Sequence, residues 1–194
     1  MKIIRKINLW LVAAAFAIAG LSTQAQAGLT ENIDIKVSIN ATKSVSAGTT
    51  VYTFGALAVN TASNSVTALV ITNDSGAFTE TFEMLAGNAL EDGAGTDDWT
   101  LNTATSTDNY VLDAQFSTAR PGDALDATWA ADNLTNSAQT CSATAFGNGT
   151  AGESGLNVSP AAASRDRNLW FRIITPDIIT SAAGHTATVT ISIQ

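Results

Sequence analysis

Hydrophobic side chains fall at every second position through most of this chain, a period that builds sheet and not helix. The segment Asn32-Ile33-Asp34-Ile35-Lys36-Val37-Ser38-Ile39 sets the pattern, with Ile33, Ile35, Val37 and Ile39 on one side and polar residues on the other. The same alternation recurs in 51–54, 66–72, 78–84, 110–116, 169–173 and 187–193. Each segment predicts a strand with one face in a core and one in water. In 110–116, Tyr110, Leu112, Ala114 and Phe116 take the core side, while Asp113 and Gln115 take the wet side. In 78–84, Glu80 and Glu83 stand on opposite faces. Thr, Val and Ile are abundant in these stretches, as strand propensity favours.

The punctuation between the segments is turn chemistry. Asn73-Asp74-Ser75-Gly76 lies between two good strands and predicts a hairpin. Ala47-Gly48, Gly147-Asn148-Gly149 and Gly152-Glu153-Ser154-Gly155 mark further loops, and Pro176 closes the strand that begins near Leu169. One short helix is expected after Pro121-Gly122, capped by Asp123, with Asp126 in its first turn and Leu125 and Trp129 sharing a face. Roughly seven to nine strands with almost no helix predict an all-β fold. The expected architecture is an antiparallel two-sheet β-sandwich, of jelly-roll or immunoglobulin-like topology. An outer-membrane barrel has a similar period. Its outward faces carry Leu and aromatics, however, where this chain carries Thr, Ser, Asp and Glu, and the last residue here is Gln194.

The amino terminus reads as a secretory leader. Lys2, Arg5 and Lys6 precede an apolar run from Ile7 to Leu21, and Ala25-Gln26-Ala27 supplies the small-x-small cleavage pattern. The expected division is therefore a signal peptide over 1–27 and a single β-sandwich domain over 28–194. The mature chain then starts near Gly28, directly before the first alternating strand. The apolar run is short for a bilayer span, and nothing after it reads as one. Such a protein is expected outside the cytoplasm, extracellular or at the cell surface, with the periplasm as the alternative.

Charge removes whole classes of partner. The net charge is −8, and the leader holds three of the nine basic residues and none of the 17 acidic ones, so the remainder is more acidic still. Such a surface repels phosphate backbones and anionic lipid heads. Nucleic acid is therefore not an expected partner. The remaining basic residues (Lys36, Lys43, Arg120, Arg165, Arg167, Arg172) form no long run, and read as solvated strand residues with an ion pair to Asp166. Cys141 is the only cysteine and is expected as a small buried apolar residue, its alternatives being an intermolecular disulfide or a reactive thiol.

Catalytic constellations are scarce. His185 is the only histidine, beside Gly184 at the start of the last strand, and no Gly-x-Ser-x-Gly elbow accompanies it. It reads as a turn or edge-strand residue. Two-carboxylate chemistry would need partners from separate loops, and the pattern selects none. The densest acidic stretch holds Glu91, Asp92, Asp97 and Asp98 around Gly93 and Gly95. Hard oxygen ligands on such a loop could hold calcium, against the competing reading of a solvated acidic turn. Asp123, Asp126 and Asp132 form a thinner cluster of the same kind. Of the tryptophans, Trp170 stands opposite Leu169 and Phe171 and is the candidate for stacking on a sugar ring, while Trp99 and Trp129 read as core.

The hairpin-like segment 66–84, with Thr72-Asn73-Asp74-Ser75-Gly76 at its centre, resembles a recurrent unit of secreted bacterial β-sandwich proteins, including the camelysin and TasA-like matrix-fibre subunits. The end of the chain, from Leu169-Trp170-Phe171-Arg172 through Pro176 to Thr188-Val189-Thr190-Ile191-Ser192, is similar to the closing strands of such surface proteins. The resemblance covers about a third of the chain. It implies a jelly-roll-like subunit whose amino-terminal strand inserts into a neighbour's sheet. This chain departs from those proteins in being more acidic and in lacking their helical insertions. Residues and resemblance together lead to the expectation of a secreted, non-enzymatic structural or surface protein. Its assembly strand would carry Ile33, Ile35, Val37 and Ile39, and its partners would be further copies or other surface proteins. The alternative expectation is a carbohydrate-binding or calcium-dependent adhesion module. No resident cofactor is expected beyond that calcium.

Overall fold

The alternating segments become strands in a computed structural model that describes residues 30–40, 44–93, 95–122 and 129–194. The leader (1–27) and the segment expected to form a helix, with Asp123, Leu125 and Asp126, lie outside the described residues. Twelve strands are present among those described: β1 (Thr30–Asn40), β2 (Val45–Ala47), β3 (Val51–Ala58), β4 (Ala62–Asn64), β5 (Leu69–Asn73) and β6 (Phe82–Ala86), then β7 (Leu90–Glu91), β8 (Thr100–Leu101), β9 (Asn109–Phe116), β10 (Gln139–Thr140), β11 (Asp166–Ile174) and β12 (His185–Ile193). They form two six-stranded sheets packed face to face, an all-β two-sheet sandwich. The first sheet runs β10-β6-β12-β1-β3, with β7 also on β12. The second runs β2-β5-β11-β9-β8, with β4 also on β11.

The core follows from the period-two pattern. Ile33, Ile35, Val189 and Ile191 of the first sheet are fully buried, as are Leu112, Phe116, Leu169 and Phe171 of the second. Burying each such side chain stabilises the fold by roughly 1.5–3 kcal/mol relative to leaving it in water. Cys141 joins this core as a free thiol. Within β3, Gly55 has φ +75°, a left-handed conformation that favours glycine, and the register against β1 slips by one residue there. The extra residue lies on β3, and across it the side chains turned to the core change from Tyr52 and Phe54 to Leu57.

Three expectations are corrected. The sheets are not wholly antiparallel: β1 runs parallel to β12, from Ile33 opposite His185 to Asn40 opposite Ser192, and β8 runs parallel to β9. Parallel neighbours need a long crossover, and here the crossover is almost the entire domain. Next, Asn73–Gly76 does not close a hairpin. It carries the chain from β5 in one sheet to β6 in the other. The turn chemistry is nonetheless as read: Asn73 Oδ1 accepts the Ser75 amide, while Nδ2 donates to the carbonyls of Phe78 and Val158. Because the chain is changing sheets, Phe78 points into solvent, 67% exposed, and Glu80 is buried instead, its backbone bridged to Val158. Finally, the supposed wet face of β9 is dry. Val111, Asp113, Gln115 and Ser117 are all buried, because the stretch after β9 folds back over that face through Trp129, Asp132, Asn133 and Phe146.

Candidate functional site

The first site predicted from sequence is the amino-terminal strand. β1 is interior, with β12 on one side and β3 on the other. Ile33 and Ile35 are fully buried and Val37 is 3% exposed. Ile39 pairs with Ile191 through the backbone. On the outer face, Lys36 stands opposite Thr188 and Ser38 opposite Thr190. The edge of this sheet lies one strand further on, at β3. Both walls of the β1 slot come from elsewhere in the chain, and β12 is its last strand.

A second centre escaped the sequence reading. Asp113 on β9 and Arg172 on β11 are opposed in register, and Arg172 Nε donates to Asp113 Oδ2 at 2.5 Å. Asp113 is fully buried and Arg172 nearly so. Asn133 Nδ2 donates to the other oxygen of Asp113, and the guanidinium carbon lies 5.4 Å from the centre of the Trp129 ring. Beside this pair, Asp132 accepts from Gln115 Nε2 and from the Phe146 amide, both at 2.6 Å. Burial pushes the Asp132 carboxyl up to about 6, against the lowering effect of those two bonds. Burial raises Asp113 as well, against the Arg172 bond and charge. A buried charged pair with further hydrogen bonds positions whatever covers it. Here it fastens the 129–147 stretch onto the outer face of the second sheet. The signal was present as Asp113 within an alternating strand. Without the fold, a charged residue there reads as solvent-facing.

The histidine and the acidic loop meet at one corner of the first sheet. His185 is neither at a turn nor on an edge strand: it is fully buried at the start of β12, between β1 and β7. Its ring stacks on Trp99 with centroids 4.2 Å apart and planes 20° from parallel. Nδ1 lies 2.9 Å from the Ala183 carbonyl and Nε2 lies 2.9 Å from the Asp97 carbonyl. The acidic loop closes on itself around Glu91, which accepts from the Ser181 hydroxyl and from the Asp97 amide. Those bonds, Ser181 first, hold the Glu91 carboxyl below its usual range. Gly95 passes so near that a Cβ would sit 1.5 Å from Glu91 Oε2. Asp98 accepts from the Glu91 amide, and Asp92 from the Thr186 hydroxyl. Of the carboxylates expected to ligate calcium, Glu91, Asp92 and Asp98 each accept a hydrogen bond at this corner, while Asp97 takes part through its backbone. Among the described residues no group of three or more His, Cys, Asp or Glu is placed to hold a metal.

Trp170 is half-buried, and its indole N–H donates to the Ser117 carbonyl at 2.9 Å, so it is less free to stack on a ligand than its place in the strand suggested. Trp99 is a core residue, and Trp129 is fully buried beside Arg172 on the outer face of the second sheet. A groove of about 410 Å³ beside Gln115 is lined by Ser117, Arg120, Thr144 and Asn148. Arg120 turns away from ligands there, donating to the carbonyls of Ser65 and Asn64. Arg165 keeps the exposed pairing with Asp166 expected of it, at 3.8 Å. Scanned against family models and compared with curated proteins, the chain matches none.

Proposed function

We propose that this protein is a secreted, non-enzymatic structural subunit of the cell exterior that assembles by exchanging its first strand. The observation that carries the reading is the position of β1. It is the first described strand, it fills an interior slot between β12 and β3, and its burial completes the core. A strand held that way by its own chain is held equally well by a neighbour's β12 and β3, since the contacts are identical in the two arrangements. Donation from one copy to the next is head-to-tail and need not close, which is the geometry of a filament. The similarity to camelysin and TasA-like subunits noted in the sequence agrees with this assembly.

Burial of the reactive groups supports the non-enzymatic part of the reading. Asp113, Asp132 and His185 are fully buried and committed to structural bonds. The Cys141 thiol, buried in the core, is pushed well above its ordinary range by desolvation.

Locking β1 to its own β12 tests the proposal. Ser38 and Thr190 are register partners on the outer face, so the Ser38→Cys/Thr190→Cys variant places two thiols on adjacent strands. Electron microscopy should show filaments for the native chain, none for the variant oxidised as a monomer so that its disulfide closes within one chain, and filaments again after reduction. Filaments that persist with the lock closed, or a native protein that never forms them, would overturn it.

A further inference from the structure

His185 is the only histidine of the chain, and the assembly proposed above makes no use of it. It stands at the first position of β12, fully buried and facing inward. Each ring nitrogen ends on a backbone carbonyl: Nδ1 on Ala183 and Nε2 on Asp97, both at 2.9 Å. A carbonyl oxygen accepts hydrogen bonds and donates none. A neutral imidazole has one N–H and one bare lone pair, so it satisfies one of these carbonyls and opposes the other. Only the imidazolium, with two N–H groups, donates to both.

Burial by itself disfavours the charged ring, and the surroundings offset it. The imidazole stacks on Trp99 with centroids 4.2 Å apart, which sets the indole face against the cation. Glu91 on β7 is its register partner. The Ser181 hydroxyl first, then the Asp97 amide, hold the Glu91 carboxyl below its usual range, and the His185 charge adds to them. Asp92 and Asp98 stand in the same loop, on the Thr186 hydroxyl and the Glu91 amide. From β1 comes Ile33, with Asp34 beside it opposite Thr186 on the outer face. From β9, Tyr110 packs on Trp99, its phenol raised by burial and its hydroxyl on the Gly87 carbonyl. Neither 84–119 nor 173–194 contains a Lys or Arg, and Lys36 is exposed on the outer face opposite Thr188. The corner therefore sets carboxylates around the ring, and its own segments supply no other cation.

We propose that His185 is a buried imidazolium clamping the loop between β7 and β8 onto β12, and that rising pH opens this corner of the sandwich. Loss of a proton leaves the ring a single donor. Ala183 lies two residues away in the same turn and keeps that bond. The Asp97 carbonyl, on a separate loop, is left facing a lone pair and withdraws. A ring that gains two acceptors and a facing carboxylate on folding holds its proton longer in the native state. Its contribution to stability is then complete below about pH 6.5 and is lost as the pH rises further. That window lies above the one in which Asp132 titrates. His185 is in register with Ile33, where the pairing of β1 with β12 begins, so the corner that opens is the end of that seam. The clamp does not depend on strand exchange.

A single histidine gives a single set of ring signals, so nitrogen NMR of the histidine-labelled protein tests the proposal on the native chain. Both ring nitrogens should carry protons at about pH 6, and the titration midpoint should lie at least about half a pH unit above the ordinary 6.5 or so. Glu91→Gln removes the facing charge and keeps an acceptor for Ser181, so it should lower that midpoint. Amide exchange, corrected for its intrinsic pH dependence, should show the Asp92 and Asp97 amides losing protection across the same titration while β9 and β11 keep theirs. A lower midpoint would overturn the proposal. So would loop protection indifferent to the titration, or a midpoint that Glu91→Gln leaves unmoved.

Discussion

At Asp132 the fold sets a charge state that can be read out in solution. Its carboxyl is pushed from an ordinary 3.8 up to about 6 by burial. Between those values the native chain binds more protons than the unfolded one, so stability falls as pH rises. The stabilisation is fully present below about pH 4 and is lost by the time pH has climbed past about 6, a loss on the order of 2 kcal/mol. Asp113 acts in the same direction. The half-buried Glu91 and Glu153, both held below the usual range by hydrogen bonds, act oppositely, and only at lower pH. Urea unfolding at steps between about pH 4.5 and about pH 6.5 should therefore show native stability declining, with the decline flattened in Asp132→Asn. A decline unchanged by the substitution would contradict the assignment. None of this was legible at residue scale from sequence. A carboxylate in an alternating strand or a polar loop looks solvated until the covering segment is known.

Strands were far easier to read than their partners. The long alternating segments 32–39, 110–116, 169–173 and 187–193 all fall within strands, because side-chain period is a local property of the backbone. Pairing is not local. The link at Asn73–Gly76 has hairpin residues yet crosses between sheets, and what decides this is the distant Val158 carbonyl on Asn73 Nδ2, 2.7 Å away. Asn73 is therefore expected to hold the crossover by itself. Asn73→Ala leaves the Phe78 and Val158 carbonyls short of a donor and should cost about 2 kcal/mol in denaturant unfolding. A cost below about 0.5 kcal/mol would mean that the crossover is fixed by packing alone. The same limit explains β1. Its inward residues were evident, while its place between β3 and β12 could not be read from its own eleven residues.

Over the whole molecule, an acidic two-sheet sandwich is closed by a strand from its own amino-terminal end. β1 lies parallel to β12 and antiparallel to β3, so the first and last described strands share one sheet. In the assembly proposed above, the strand that completes one molecule's core completes another's. The two-sheet architecture was legible from period and composition, since hydrophobic alternation on many short segments has few other solutions.

Mixing two single-cysteine proteins tests strand exchange most directly. One chain carries Ser38→Cys and the other Thr190→Cys, and Cys141 stays buried in both. If β1 is donated between molecules, oxidation of the assembled mixture gives a covalent heterodimer joined at those two positions, identified by peptide mass. If the double variant closes within one chain while the mixture yields no such heterodimer, β1 belongs to its own molecule alone and the account of assembly fails.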